Sequence, residues 1–72
     1  MTKSKSITLG QRLAELRTAQ GLTVYRLGKA AGVPPISIAR IESGEKQQPA
    51  FQTIEKLAAA LQVSLDEFKT EP

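Results

Sequence analysis

Apolar residues recur along this chain at helical spacing, and glycine interrupts them at intervals of about a dozen residues. Leu9, Leu13 and Leu16 share one face of a first helix over 9–20. Thr8-x-x-Gln11 opens it as a capping box, and Gly21 stops it. Thr23 is the next candidate cap. Leu22 before it and Leu27 after it sit where a hydrophobic staple needs them, which predicts a short second helix over 23–31 ending at Gly32. Proline is tolerated at a first helical position and not in a helix interior, so Pro34-Pro35 places the start of a third helix over 35–43. That helix carries Ile38 and Ile41 on one face and ends at Gly44. After a polar loop over 45–49, Phe51, Ile54, Leu57, Ala58 and Leu61 form the stripe of a fourth helix over 50–61. Ser64-x-x-Glu67 reads as a further capping box, with Val63 and Phe68 as its staple, opening a fifth, single-turn helix over 64–68.

The predicted fold is therefore all-α, a compact five-helix bundle over residues 7–69. A basic arm (1–6) precedes it and a short tail (70–72) follows. Its expected core is Leu13, Leu16, Leu22, Leu27, Ala31, Val33, Ile38, Ile41, Phe51, Ile54, Leu57, Leu61, Leu65 and Phe68. Gly28 lies where the second helix faces the third, and two helices joined by so short a turn need a small residue there.

Composition narrows the function. The 72 residues hold no cysteine and no histidine, which removes disulfides, thiol nucleophiles, the usual general base and most zinc sites. Nothing nearby would activate the serines, threonines and carboxylates, whose expected work is capping and solvation. The expectation is a protein that is not an enzyme and that uses no cofactor or metal. No apolar run approaches the ~20 residues that span a membrane, and MTKSKSITLG has no apolar signal core, so the expected location is the cytoplasm. The net charge of +3 is unevenly spread. Residues 1–46 carry eight basic against three acidic side chains, and residues 47–72 two against four. A basic half beside an acidic remainder suits a polyanionic partner.

The chemistry concentrates between Val24 and Ile41, where two short helices meet at Gly32. Arg40 lies on the third helix, offset from Ile38 and Ile41, where its guanidinium is free to contact a guanine in bidentate fashion, to clamp a phosphate, or to stay solvated. Ser37 is placed to donate to a base edge or a phosphate, or to cap its own helix. The helix starts at Thr23 and at Ala50 to Gln52, which includes Phe51, present backbone N–H groups suited to phosphate. Ser43, Lys46, Gln47 and Gln48 are candidate backbone contacts in the following loop, and Lys3 and Lys5 form the basic arm.

The segments LGQRLAELRTAQGLT, LGKAAGV and SIARIESGEKQQPAFQTIEKLAAALQVSLDEF resemble the Cro and phage-repressor (lambda-repressor-like, XRE-like) type of helix-turn-helix domain, from about Leu9 to Phe68. The resemblance implies a five-helix transcriptional regulator that places its third helix in the major groove of double-stranded DNA, commonly as a dimer. It implies base reading by Pro35, Ile36, Ser37 and Arg40, a phosphate contact at the position of Val24, and a structural ion pair between Arg17 and Glu42. This chain departs from the family at its reading edge. Val24 replaces the usual glutamine, and Pro34, Pro35 and Ile36 replace polar residues. Val24, Pro35 and Ile36 are expected to form an apolar patch that meets either thymine methyl groups or a protein partner. A homodimer, formed in solution or only on DNA, is expected around residues 65–72, and no sensor domain is expected to follow.

Overall fold

The computed structural model describes residues 8–68. The arm over 1–6, with Lys3 and Lys5, and the tail over 70–72 lie outside the described residues. Four α-helices and one 3-10 turn follow in order: α1 (Leu9–Ala19), α2 (Val24–Ala31), α3 (Pro35–Ser43), α4 (Phe51–Leu61) and the turn Leu65–Phe68. No strand occurs among the described residues, and no helix there is long and apolar enough to cross a membrane.

Local chemistry accounts for three of the helix starts and two of the stops. The Thr8 hydroxyl accepts from the Gln11 N–H at 3.1 Å, and the Gln11 side chain accepts from the Thr8 N–H at 3.1 Å, a complete capping box. The Thr23 hydroxyl accepts from the Arg26 N–H at 3.0 Å. Pro35 begins α3, whose cap residue Pro34 offers no side-chain acceptor. The left-handed backbone of Gly32 (φ 73°) ends α2, and that of Gly44 (φ 89°) ends α3.

The predicted fifth helix is corrected to a 3-10 turn. The Ser64 hydroxyl accepts from the Asp66 N–H at 2.9 Å, two residues on, instead of from Glu67 as a capping box requires. The Glu67 N–H bonds the Ser64 carbonyl at 3.0 Å, the tighter i→i+3 pattern.

Leu13, Leu27, Val33, Ile38, Ile41, Leu57, Ala58, Leu61 and Phe68 form the buried core, with Leu9, Leu16, Leu22, Val24, Ala31, Ile54, Ala60 and Val63 packed around it. α3 packs on α1 and α2, α2 packs on α4, and the terminal turn bridges α1 and α4. Two expected core residues lie outside. Phe51 is 65% exposed, and Leu65 is also exposed. Phe51 is the first residue of α4, and helical side chains lean toward the N-terminus, so its ring projects past the end of the core. Leu65 leads a turn whose apolar anchor is Phe68.

Candidate nucleic-acid interface

α3 is the element to follow, because its two faces are sharply different. Ile38 and Ile41 are almost wholly buried, while Ile36, Ala39 and Arg40 are exposed. Two glycines let α3 sit this close to its neighbours. A Cβ on Gly28 would lie 2.7 Å from the Val33 carbonyl oxygen and 3.0 Å from Pro35 Cγ, so α2 meets the start of α3 only because that side chain is missing. A Cβ on Gly10 would collide with the carbonyl oxygen of Ile41, which makes Gly10 the matching contact between α1 and α3. Sequence reasoning found the first and missed the second. Gly10 stands in the first turn of α1, where glycine carries no motif of its own.

A partly buried ion pair locks the far end of α3 to α1. Arg17 Nε donates to Glu42 Oε2 at 2.7 Å and Arg17 Nη2 to Glu42 Oε1 at 2.9 Å, a parallel two-bond fork. Arg17 Nη1 also donates to the Leu22 carbonyl at 2.8 Å, fixing the chain entering α2. The two side chains are only 15% and 13% exposed. Hydrogen bonding to Glu42 raises the Arg17 pKa above its ordinary value, and the charge of Glu42 adds to this against the opposing effect of burial.

The candidate base readers occupy the first turns of α3. Ile36 is 58% exposed. Ser37 is half-buried, and its N–H bonds the Pro34 carbonyl at 2.9 Å. Pro35 is half-buried, its ring in the notch at Gly28, and Val24 is half-buried and packed against the core. Ile36 is thus the one member of the expected apolar patch that stands clear of the protein. The exposed ring of Tyr25, with Lys29 Nζ 5.7 Å from its centroid, adds an aromatic surface on α2 that sequence reasoning did not single out.

Among the candidate phosphate contacts, Thr23, Lys46, Gln47, Gln48, Phe51 and Gln52 are exposed. Ser43 is exposed, but its one hydroxyl hydrogen goes to the Arg40 carbonyl at 3.1 Å. None of the four α-helices has an acidic residue in its first turn, so no carboxylate neutralises their positive N-terminal ends. Arg40 itself faces a residue that sequence reasoning overlooked. Its Nε lies 3.8 Å from Glu45 Oε2, across Gly44. The described residues contain no cluster of three or more acidic, histidine or cysteine side chains suited to a metal ion.

A family model described as helix-turn-helix matches residues 13–68. The HTH-type transcriptional regulator RghRB of Bacillus subtilis (strain 168), described as uncharacterized, is 46% identical over 54 residues, covering 75% of this chain. The chain spans only 39% of that relative's length. Among solved structures, the restriction-modification controller protein C.AhdI from Aeromonas hydrophila superposes with a TM-score of 0.81 at 36% identity. That match covers 85% of this chain and 91% of C.AhdI. The biofilm master regulator SinR in complex with DNA superposes with a TM-score of 0.82 at 31% identity, covering 85% of this chain and 97% of that one.

Proposed function

The chain belongs to the helix-turn-helix family of Cro and phage-repressor type, and from that membership we propose that it is a transcriptional regulator that binds double-stranded DNA with α3 in the major groove. One observation carries the reading. α3 buries Ile38 and Ile41 completely, is braced on both sides by glycine contacts and at its end by Arg17–Glu42, and turns Ile36, Ser37 and Arg40 outward. A rigid helix with a free face is what insertion into a groove requires.

Pro35 and Ile36 offer only apolar surface, so they suit thymine methyl groups. Ser37 and Arg40 supply the polar readout. Thr23, Val24, Phe51 and Gln52 mark two helix starts whose backbone N–H groups meet phosphates, and Lys46, Gln47 and Gln48 extend that contact along the loop. Ser43 contributes by holding that loop. Residues 7–69 act as one binding unit, with the arm over 1–6 adding charge and residues 70–72 as tail. The unit works in the cytoplasm as a homodimer on paired half-sites, without catalysis, cofactor or metal.

The exposed apolar side chains of Tyr25 and Ile36 favour one alternative, a protein-interaction module built on the same fold. Titration with unrelated duplex DNA at two salt concentrations separates the two. A DNA binder weakens steeply with salt, and Arg40→Ala weakens it further. Absence of binding at low salt would favour the protein-partner reading.

A further inference from the structure

We propose that Glu45 is a specificity-determining positioning residue. Its carboxylate fixes the Arg40 guanidinium so that the double-nitrogen end faces outward for guanine, and it penalises indiscriminate phosphate contact by the same side chain. The inference rests on the DNA-binding reading above and deepens it.

The backbone around the pair is hydrogen-bonded across the turn at Gly44. Ser43 Oγ donates to the Arg40 carbonyl at 3.1 Å and accepts from the Glu45 N–H at 3.2 Å. The Lys46 N–H also bonds the Arg40 carbonyl, at 3.0 Å. The backbone after Gly44 is therefore tied to one atom, the Arg40 carbonyl oxygen, directly from Lys46 and through Ser43 Oγ from Glu45. Arg40 Nε then lies 3.8 Å from Glu45 Oε2.

Stability does not explain this arrangement. The side chains are 55% and 68% exposed, and ion pairs so open to water and salt contribute little to folding. Direction explains it better. A guanidinium has one edge that includes Nε and one end formed by Nη1 and Nη2. A carboxylate on the Nε side leaves the Nη end free, and that end matches guanine O6 and N7. The side chain then has fewer orientations to surrender on binding. The same carboxylate repels phosphate, so Arg40 gains less from a random backbone contact than from a guanine. Affinity for non-specific DNA falls while discrimination rises.

The test compares two duplexes of equal length: the site that the wild-type protein selects from a random duplex pool, and a random-sequence duplex. In Glu45→Gln, affinity for the random duplex rises about threefold and the ratio of selected to random affinity falls about fivefold. Glu15→Gln removes the same charge from the exposed side of α1 and leaves the ratio unchanged. In an Arg40→Ala background, adding Glu45→Gln leaves the ratio where Arg40→Ala alone put it, because Glu45 acts through Arg40. An unchanged melting temperature in Glu45→Gln excludes a folding effect. If Glu45→Gln strengthens both duplexes equally, or neither, Glu45 is background charge and the proposal is overturned. If the wild-type protein binds no duplex at low salt, the DNA reading itself fails and takes this inference with it.

Discussion

Arg17 and Glu42 stand 25 residues apart in the chain and meet through two parallel hydrogen bonds of 2.7 and 2.9 Å. The fork ties α1 to the last turn of α3, and the third donor of Arg17 ties both to the chain entering α2. Removing Glu42 leaves a partly buried guanidinium with its main partner gone. Glu42→Ala is expected to cost about 3 kcal/mol, a fall in melting temperature on the order of 10–20 °C for a domain of this size. Calorimetry or thermal circular dichroism checks it, and a melting temperature equal to wild type would show that the pair is ornamental. The pH dependence from the Arg17 side follows from its raised pKa. A group whose folded pKa is raised gives its full stabilisation below its unfolded value and loses it only as pH climbs past that range. No step in stability traceable to Arg17 is therefore expected between about pH 5 and pH 9.

Gly28 and Gly21 should both resist substitution, for opposite reasons. At Gly28 a methyl group meets the Val33 backbone at 2.7 Å, so Gly28→Ala forces α2 and α3 apart and costs about 1–3 kcal/mol or more. At Gly21 the space is open, but the backbone is left-handed (φ 71°), so Gly21→Ala costs about 1–2 kcal/mol through strain alone. Because α3 moves only in the first case, Gly28→Ala should lose DNA affinity even where it remains folded. Gly21→Ala should keep its affinity. Binding measured well below each variant's melting point distinguishes them.

The Ile36 side chain can be tested by a change in the DNA. Replacing thymine with deoxyuridine removes one methyl group and leaves the hydrogen-bonding edge intact. A selected site so altered is expected to bind wild type several-fold more weakly, in line with the loss of about 0.8 kcal/mol per buried methyl-sized group. Ile36→Ala should respond to the same change much less. Equal sensitivity in the two proteins would mean that Ile36 does not touch the methyl.

Phe51 and Leu57 lie on the same helix, six residues apart, and should behave very differently. Leu57 is completely buried, so Leu57→Ala should cost about 2–5 kcal/mol. Phe51→Ser replaces a side chain that is 65% exposed and should change stability by about 0.5 kcal/mol or less. Urea unfolding of the two variants gives both numbers. A large loss in Phe51→Ser would restore that ring to the core.

The contrast at Phe51 shows what a sequence can and cannot disclose here. Helix starts at Thr8, Thr23 and Pro35, and the stops at Gly32 and Gly44, were legible because each depends on a residue's own backbone chemistry. The buried stripe of α4 was legible from Ile54 onward, because periodicity reports a face. Periodicity does not report where along that face the core ends, so Phe51 and Leu65 were assigned to it wrongly. The Ser64 motif has the spacing of a capping box, but its hydroxyl accepts from the Asp66 N–H two residues on. The Arg17–Glu42 pair was anticipated only through resemblance, since no local rule joins positions on different helices. Arg40 and Glu45 are five residues apart with a left-handed glycine between them, outside the three- and four-residue spacings by which helical neighbours are recognised. Gly10 gave no signal at all, because its role is set by the carbonyl of Ile41 on another helix.

The wedge of Pro35 against Gly28 divides the reading edge into a locked position and free ones. Pro35 stands at the proposed DNA surface and also sets the spacing between α2 and α3, so any side chain put there to recognise a new base also shifts the helix that presents the others. Ile36, one residue on, is largely free of the protein. A lineage of such regulators, or an engineer retargeting one, therefore has its latitude at Ile36, Ser37 and Arg40. Pro35, packed against Gly28, has less.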